Sequence, residues 1–318
     1  MLPAMPPRQP DLDPAAAYPR ITGLRDALDS GDWPACRAVL DASAPVERTE
    51  LTMVPFAEPG LETFLRGVLD GDPGDGAAAA LLGRHLIGTA WRVPTGARAE
   101  RGAPRRPAGR TDGLVTAERL LVDAAARSPR DPAIWTARLV TARGLRLGRS
   151  EAARRYRRLA EIDPHHLPAQ WQYLQQLCPE PGGDWEPAHA FARETAEAAP
   201  PGSFGPVLVA EAHLEHWNRE HHRQPGAGRR YLADDRVRAG LHEAARRSVW
   251  HADFRHTHGW VRVTSTFAMA FALLDDRPAA DSLFTTLGDL GSDHPWYHLG
   301  DPGAVIVKYR KRVAGGGT

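Results

Sequence analysis

The sequence predicts an all-α fold, an α-α superhelix of about five to seven helical hairpins, and three observations carry that expectation. A helix-turn-helix unit is written twice between Asp131 and Pro200: Trp135 and Trp171 lie 36 positions apart, Tyr156 and Phe191 35 apart. A period of that length, made of two helices, marks stacked helical repeats in which each pair buries its apolar face against the next. An earlier copy of the second helix precedes them, because Ala117, Leu121 and Pro129 stand 35 positions before Ala152, Tyr156 and Pro164. Nowhere does period-two alternation run between turn residues at strand spacing.

Taken in order, residues 1–17 read as a flexible leader, since Pro3, Pro6, Pro7, Pro10 and Pro14 exclude a regular helix. A single solenoid domain is expected over 18–304, with a tail over 305–318 that frays at its glycines. Ile21, Leu24 and Leu28 repeat at helical spacing; Asp32 then suits an N-cap and Pro34 the first turn of a second helix carrying Val39 and Leu40. Leu61, Phe64, Leu65 and Leu69 predict another helix, and 77–91 the next, with Leu81, Leu82, His85, Leu86 and Thr89 on its apolar face. Periodicity stops at 94–113, where Arg98, Arg101, Arg105, Arg106 and Arg110 sit among Gly, Ala and Pro; this reads as a solvated, mobile loop. Helices resume over 114–129, run through the two written repeats, and continue over 206–222, about 234–250, 260–274 and 278–287. His165 and His166, after the Asp163-Pro164 stop, are expected to be exposed in an inter-repeat turn.

Composition narrows the function classes. A formal net charge of +1 supplies no global field to recruit nucleic acid or an anionic membrane, so neither is an expected partner. Cys36 and Cys178 are too few for a disulfide framework and form no Cys-x-x-Cys, which makes a reducing cytoplasm the expected home. The leader has no apolar run behind a basic start, and the most apolar stretch, 77–87, is interrupted by Arg84 and His85 and is too short to span a bilayer.

The repeats resemble the tetratricopeptide repeat, on Trp171-x2-Leu174 in a first helix and Ala152-x3-Tyr156 followed by Pro164 in a second. Gln175 and Cys178 depart from that pattern, as does Arg138 after Trp135, and the resemblance is clearest over 114–200. The whole chain is also similar to a family of uncharacterised proteins from high-GC bacteria, on phrases such as Gly31-Asp32-Trp33, Asp163-Pro-His-His166, Phe267-Ala-Met-Ala-Phe271 and Leu299-Gly-Asp-Pro302. The first resemblance implies a scaffold whose concave face takes a protein or peptide; the second brings no activity with it.

No catalytic motif is present. There is no Gly-x-Ser-x-Gly, no phosphate loop and no Gly-x-Gly-x-x-Gly, and no cofactor is implied. His242-Glu243-x-x-Arg246 misses the zinc-protease pattern, because a protonated guanidinium has no lone pair to offer a metal. Non-core positions of the first helices are the expected binding face: Arg143, Gln172, Gln176, His213, His216 and Arg262, with amides for peptide backbone and cations for carboxylates. The alternative is a metal-binding protein or enzyme. Its basis is that His213, His216 and Glu220 share one flank of a helix whose packed stripe is Val207, Ala210, Leu214 and Trp217, with Glu186 or His189 as a further ligand.

Overall fold

Aspartate and proline placement sets where many of the helices begin. Asp32, Asp131, Asp276 and Asp301 each accept a hydrogen bond from a backbone amide of the first turn, at 3.0, 2.9, 3.4 and 2.8 Å, and a proline follows within two residues. The side-chain oxygen answers an otherwise orphaned N–H, and the proline sits where no N–H is required. The computed structural model describes residues 9–54, 60–92, 108–180 and 182–315.

Among the described residues the chain is all-α, with no strand and a single isolated bridge. The helices are α1 (Pro19–Asp29), α2 (Trp33–Asp41), α3 (Pro45–Met53), α4 (Leu61–Gly71), α5 (Gly76–Arg92), α6 (Ala108–Arg127), α7 (Pro132–Leu145) and α8 (Arg149–Ala160). They continue with α9 (Leu167–Leu177), α10 (Glu186–Ala198), α11 (Val207–Arg223), α12 (Ala227–Leu232), α13 (Asp235–Arg247), α14 (Trp260–Leu273), α15 (Arg277–Leu287) and α16 (Pro302–Ala314). The twice-written unit is α7 with α8, then α9 with α10; prolines mark the start of α7, the gap between α8 and α9 and the start of α10, while the α7–α8 turn is set by Arg146 and Gly148 at positive φ. No described helix is long and apolar enough to cross a membrane.

The chain divides into two compact units, one contiguous (20–176) and one split between 1–19 and 177–318. The division falls at the end of α9, so the second written pair is shared between units.

In the contiguous unit α5, α6 and α7 pack in succession. Close approach depends on glycine: a Cβ at Gly83 of α5 would lie 2.5 Å from Leu121 Cδ2, and one at Gly113 of α6 2.9 Å from Ala90 Cβ. A charged network joins α6, α7 and α8. The Glu118 carboxylate accepts from Arg155 Nη2 at 2.8 Å and Nη1 at 3.0 Å, from Arg138 Nη2 at 3.2 Å, and from the Thr141 hydroxyl. Arg155 is 2% exposed and also donates through Nε to Glu151 at 2.7 Å.

The split unit is centred on α11, α14 and α15. Val207, Ala210, Leu214 and Trp217 are buried along one stripe of α11, as their helical spacing predicts; α11 packs against α14, whose Phe267 and Phe271 are buried, and α14 against α15, whose Phe284 stacks on the buried Trp296.

Several expectations need correction. The leader is held from Pro10 onward: Asp11 donates its N–H to Asp289 at 2.7 Å and accepts from Gly291 at 2.9 Å, and the Tyr18 hydroxyl accepts from the Val261 N–H. Helix α6 begins at Ala108, six residues earlier than expected, so Gly113 lies inside the helix and packs closely on Ala90 rather than in a loop. Arg98, Arg101, Arg105 and Arg106 of the expected loop lie outside the described residues. The 305–318 tail is helical through Ala314, its Ile306 buried and its Arg310 donating to the Leu290 carbonyl at 3.0 Å. His166 is 0% exposed and bonds Asp163 through Nδ1 at 3.1 Å, whereas His165 is exposed as expected.

Candidate functional site

The contiguous unit carries an open cleft built by three helices. Helix α5 contributes Arg84, Ile87, Gly88 and Trp91, which fall on one stripe at i, i+3, i+4 and i+7. Val140 and Arg143 come from α7 and Gln172 from α9, and the seven residues enclose ≈ 370 Å³. Gly88 keeps the floor low, since a Cβ there would meet nothing nearer than Arg92 Nη2 at 3.9 Å. Trp91 is 40% exposed, a large apolar surface at the rim.

Electrostatics set this cleft apart. The Arg84 Nε is buried and donates no hydrogen bond. Burial, and then the charge of the neighbouring Arg143, lower the Arg84 guanidinium to about 10. Arg143 reaches the side-chain carbonyls of Gln172 and Gln175, each at 3.4 Å. Two cations of the same sign therefore share one concave, partly apolar lining. Gln176, expected beside them, donates instead to the Leu139 carbonyl at 3.3 Å and ties α9 to α7.

His213, His216 and Arg262 belong to the split unit. The two histidines lie on one flank of α11, and α10 and α12 complete a cluster around them. His189 Nε2 is 3.1 Å from His216 Nδ1 and 3.2 Å from the Tyr231 hydroxyl, which lies 2.6 Å from His213 Nδ1. Trp185 stacks on the His216 ring at 4.4 Å. Burial, reinforced by the neighbouring imidazoles, pushes His213 down to about 3 and His216 to about 4, and burial lowers His189 as well. All three rings are thus neutral near pH 7 and spend these nitrogens on one another and on Tyr231. Glu220, their expected companion, accepts from Arg223 at 2.7 Å, and Glu186 from Arg193 at 2.6 Å. Among the described residues no group of three or more His, Cys, Asp or Glu is arranged to hold a metal ion.

Arg262 lies near a second polar group. Glu211, 2% exposed on α11, accepts from His294 Nε2 at 2.8 Å. Burial opposes ionisation of this carboxyl, but the charges of His294 and Arg262 outweigh it and hold its pKa below the usual range. His242, from the incomplete zinc-protease pattern, bonds the α15 cap Asp276 at 2.9 Å.

The expected binding residues therefore fall into separate groups, with Arg143 and Gln172 at one cleft and His213 and His216 in one ring cluster. Sequence reasoning missed Arg84 and Trp91. Their signal is the second stripe of α5, which carries Arg84, Ile87, Gly88 and Trp91 beside the Leu-rich packing face. No protein-family model matches the chain, and no curated protein matches it either.

Proposed function

We propose that this all-α protein is a non-enzymatic scaffold of tetratricopeptide-like helical pairs that binds a protein or peptide partner. The observation that carries the reading is that Arg143 and Gln172, expected on the binding face from repeat position alone, line the same open cleft. Helical-repeat proteins bind along surfaces laid out by successive helices, and an amide beside a guanidinium recognises peptide carbonyls and carboxylates. The metal-enzyme alternative is not favoured, because one nitrogen of each ring is already committed to a neighbouring ring or to Tyr231, Glu220 is committed to Arg223, and no group of three or more His, Cys, Asp or Glu among the described residues is arranged to hold an ion.

The test is affinity capture from the source organism's lysate with the tagged chain and with an Arg143→Ala/Gln172→Ala pair, compared by mass spectrometry. A stoichiometric partner retained by the wild type and lost from the pair is the expected result. Equal retention by both, or no partner at any salt concentration, refutes the proposal.

A further inference from the structure

The same cleft holds a second clue, which rests on reading it as a binding site and goes on to name the chemistry it reads. Arg84 makes no hydrogen bond or ion pair with any other described residue, although its Nε is buried. An uncompensated buried cation destabilises a fold, and a second guanidinium beside it adds repulsion. None of the described residues lining the cleft carries a negative charge. Gln172 presents an amide, and Ile87, Val140 and Trp91 present hydrocarbon and an indole face.

A ligand that suits such a lining has an anionic end and an apolar body directly attached. A carboxylate offers two oxygens in the planar geometry that guanidinium forks accept, and it relieves the repulsion between them. An apolar group one or two bonds away then meets Ile87, Val140 and the exposed indole. Inorganic phosphate satisfies the cations but leaves that wall unused. The enclosed volume is at the small end of the range that holds compact ligands.

We propose that the α5–α7–α9 cleft binds a carboxylate carried on a compact apolar body, with Arg84 and Arg143 holding the anion and Trp91 covering the body. Two sources share this chemistry, a free organic acid and the apolar C-terminal residue of a polypeptide. Arg84 leaves its buried Nε without a partner and stands beside a second guanidinium, so binding and stability should move in opposite directions when it is replaced.

The test is calorimetric titration of the full chain with phenylacetate, with hexanoate and with a short peptide acid ending in leucine. Phenylacetamide, the corresponding peptide amide and inorganic phosphate serve as controls. Carboxylates are expected to bind at least tenfold more tightly than their amides and than phosphate. Tighter binding by the free acids assigns the source to small molecules, and tighter binding by the peptide acid assigns it to a chain end. Arg84→Met should abolish the preference for acid over amide while raising the melting temperature by about 2–4 °C. Trp91→Ala should weaken phenylacetate about tenfold and leave acetate, titrated as a carboxylate without an apolar body, unchanged, which keeps the test decisive if Arg84→Met folds poorly. Equal affinity for acid and amide, phosphate binding as tight as phenylacetate, or no binding of any acid at millimolar concentration overturns the proposal. A lysate partner that needs Arg143 and Gln172 but shows no acid preference refutes this inference and leaves the scaffold standing. Acid binding with no lysate partner does the reverse.

Discussion

Removing Glu118 should be among the most damaging single changes in the contiguous unit. Its carboxylate is the shared acceptor for Arg155, Arg138 and Thr141, and burial together with the Arg155 charge already lowers the Arg138 pKa despite that carboxylate. Glu118→Leu leaves two guanidinium groups facing each other, one of them 2% exposed, with Glu151 the one carboxylate still bonded to Arg155 beside the neutral Arg138 carbonyl and Thr141 hydroxyl. Breaking a buried charged pair from one side costs about 3–5 kcal/mol, a large part of the roughly 5–15 kcal/mol by which domains are stable. With a urea m-value of about 1–3 kcal/mol/M, a loss of that size moves the denaturation midpoint down by at least about 1 M. Replacing both sides with Glu118→Leu/Arg155→Met should recover part of the loss, because the more deeply buried guanidinium and its repulsion of Arg138 are then gone, while Arg138 stays without its carboxylate. The assay is urea denaturation followed by far-UV circular dichroism. A single-variant loss below about 1 kcal/mol, or a double variant no better than the single, refutes the view that Glu118 compensates these arginines.

Two further changes test the packing and the imidazole cluster. Gly83→Ala should destabilise by about 1–3 kcal/mol despite the better helix propensity of alanine, since its Cβ would sit 2.5 Å from Leu121; thermal melts of Gly83→Ala and Gly83→Ala/Leu121→Val check it, and no recovery in the double variant contradicts the mechanism. Acidification should loosen the split unit. His213 and His216 have folded pKa values of about 3 and about 4, below the unfolded value, so protonation favours the unfolded chain. Their contribution is complete above the unfolded value near 6.5 and falls as the pH drops toward 4, by about 2 kcal/mol for the shared network at pH 5. The rings face His189, Arg193 and Glu186 of α10, Glu220 of α11 and Tyr231 of α12, and the carboxylates only partly offset the burial. Urea midpoints at pH 7.5 and pH 5, with and without His213→Phe, measure it; an equal or higher midpoint at pH 5 for the wild type defeats the argument.

What the sequence made legible was punctuation. Asp131-Pro132, Asp163-Pro164, Glu186-Pro187 and Pro200 bracket α7, α8, α9 and α10 because capping and proline exclusion act locally. Arg143 and Gln172, chosen as non-core positions of first helices, lie on the lining of one cleft. Features fixed by distant partners did not read out. Gly113 looks like a loop glycine until Ala90 is known to press against it, and His166 looks exposed until its Asp163 bond and burial are seen. Helix α16 was hidden by its Lys and Arg content, although Val305, Ile306 and Tyr309 keep a helical spacing. Arg84 was lost inside an apolar run, where one charge reads as an interruption and its missing counter-ion is invisible.

The hydrogen bonds of Asp11 to Asp289 and Gly291 also impose an order on synthesis. The contiguous unit has its whole sequence once residue 176 has left the ribosome, whereas the split unit waits for partners more than a hundred residues later. At about 5–20 residues per second, Asp11 spends on the order of tens of seconds without the segment it will pair with. Asp11 is thus made long before the segment that holds it, and a chain cut short before residue 289 loses both of its backbone partners.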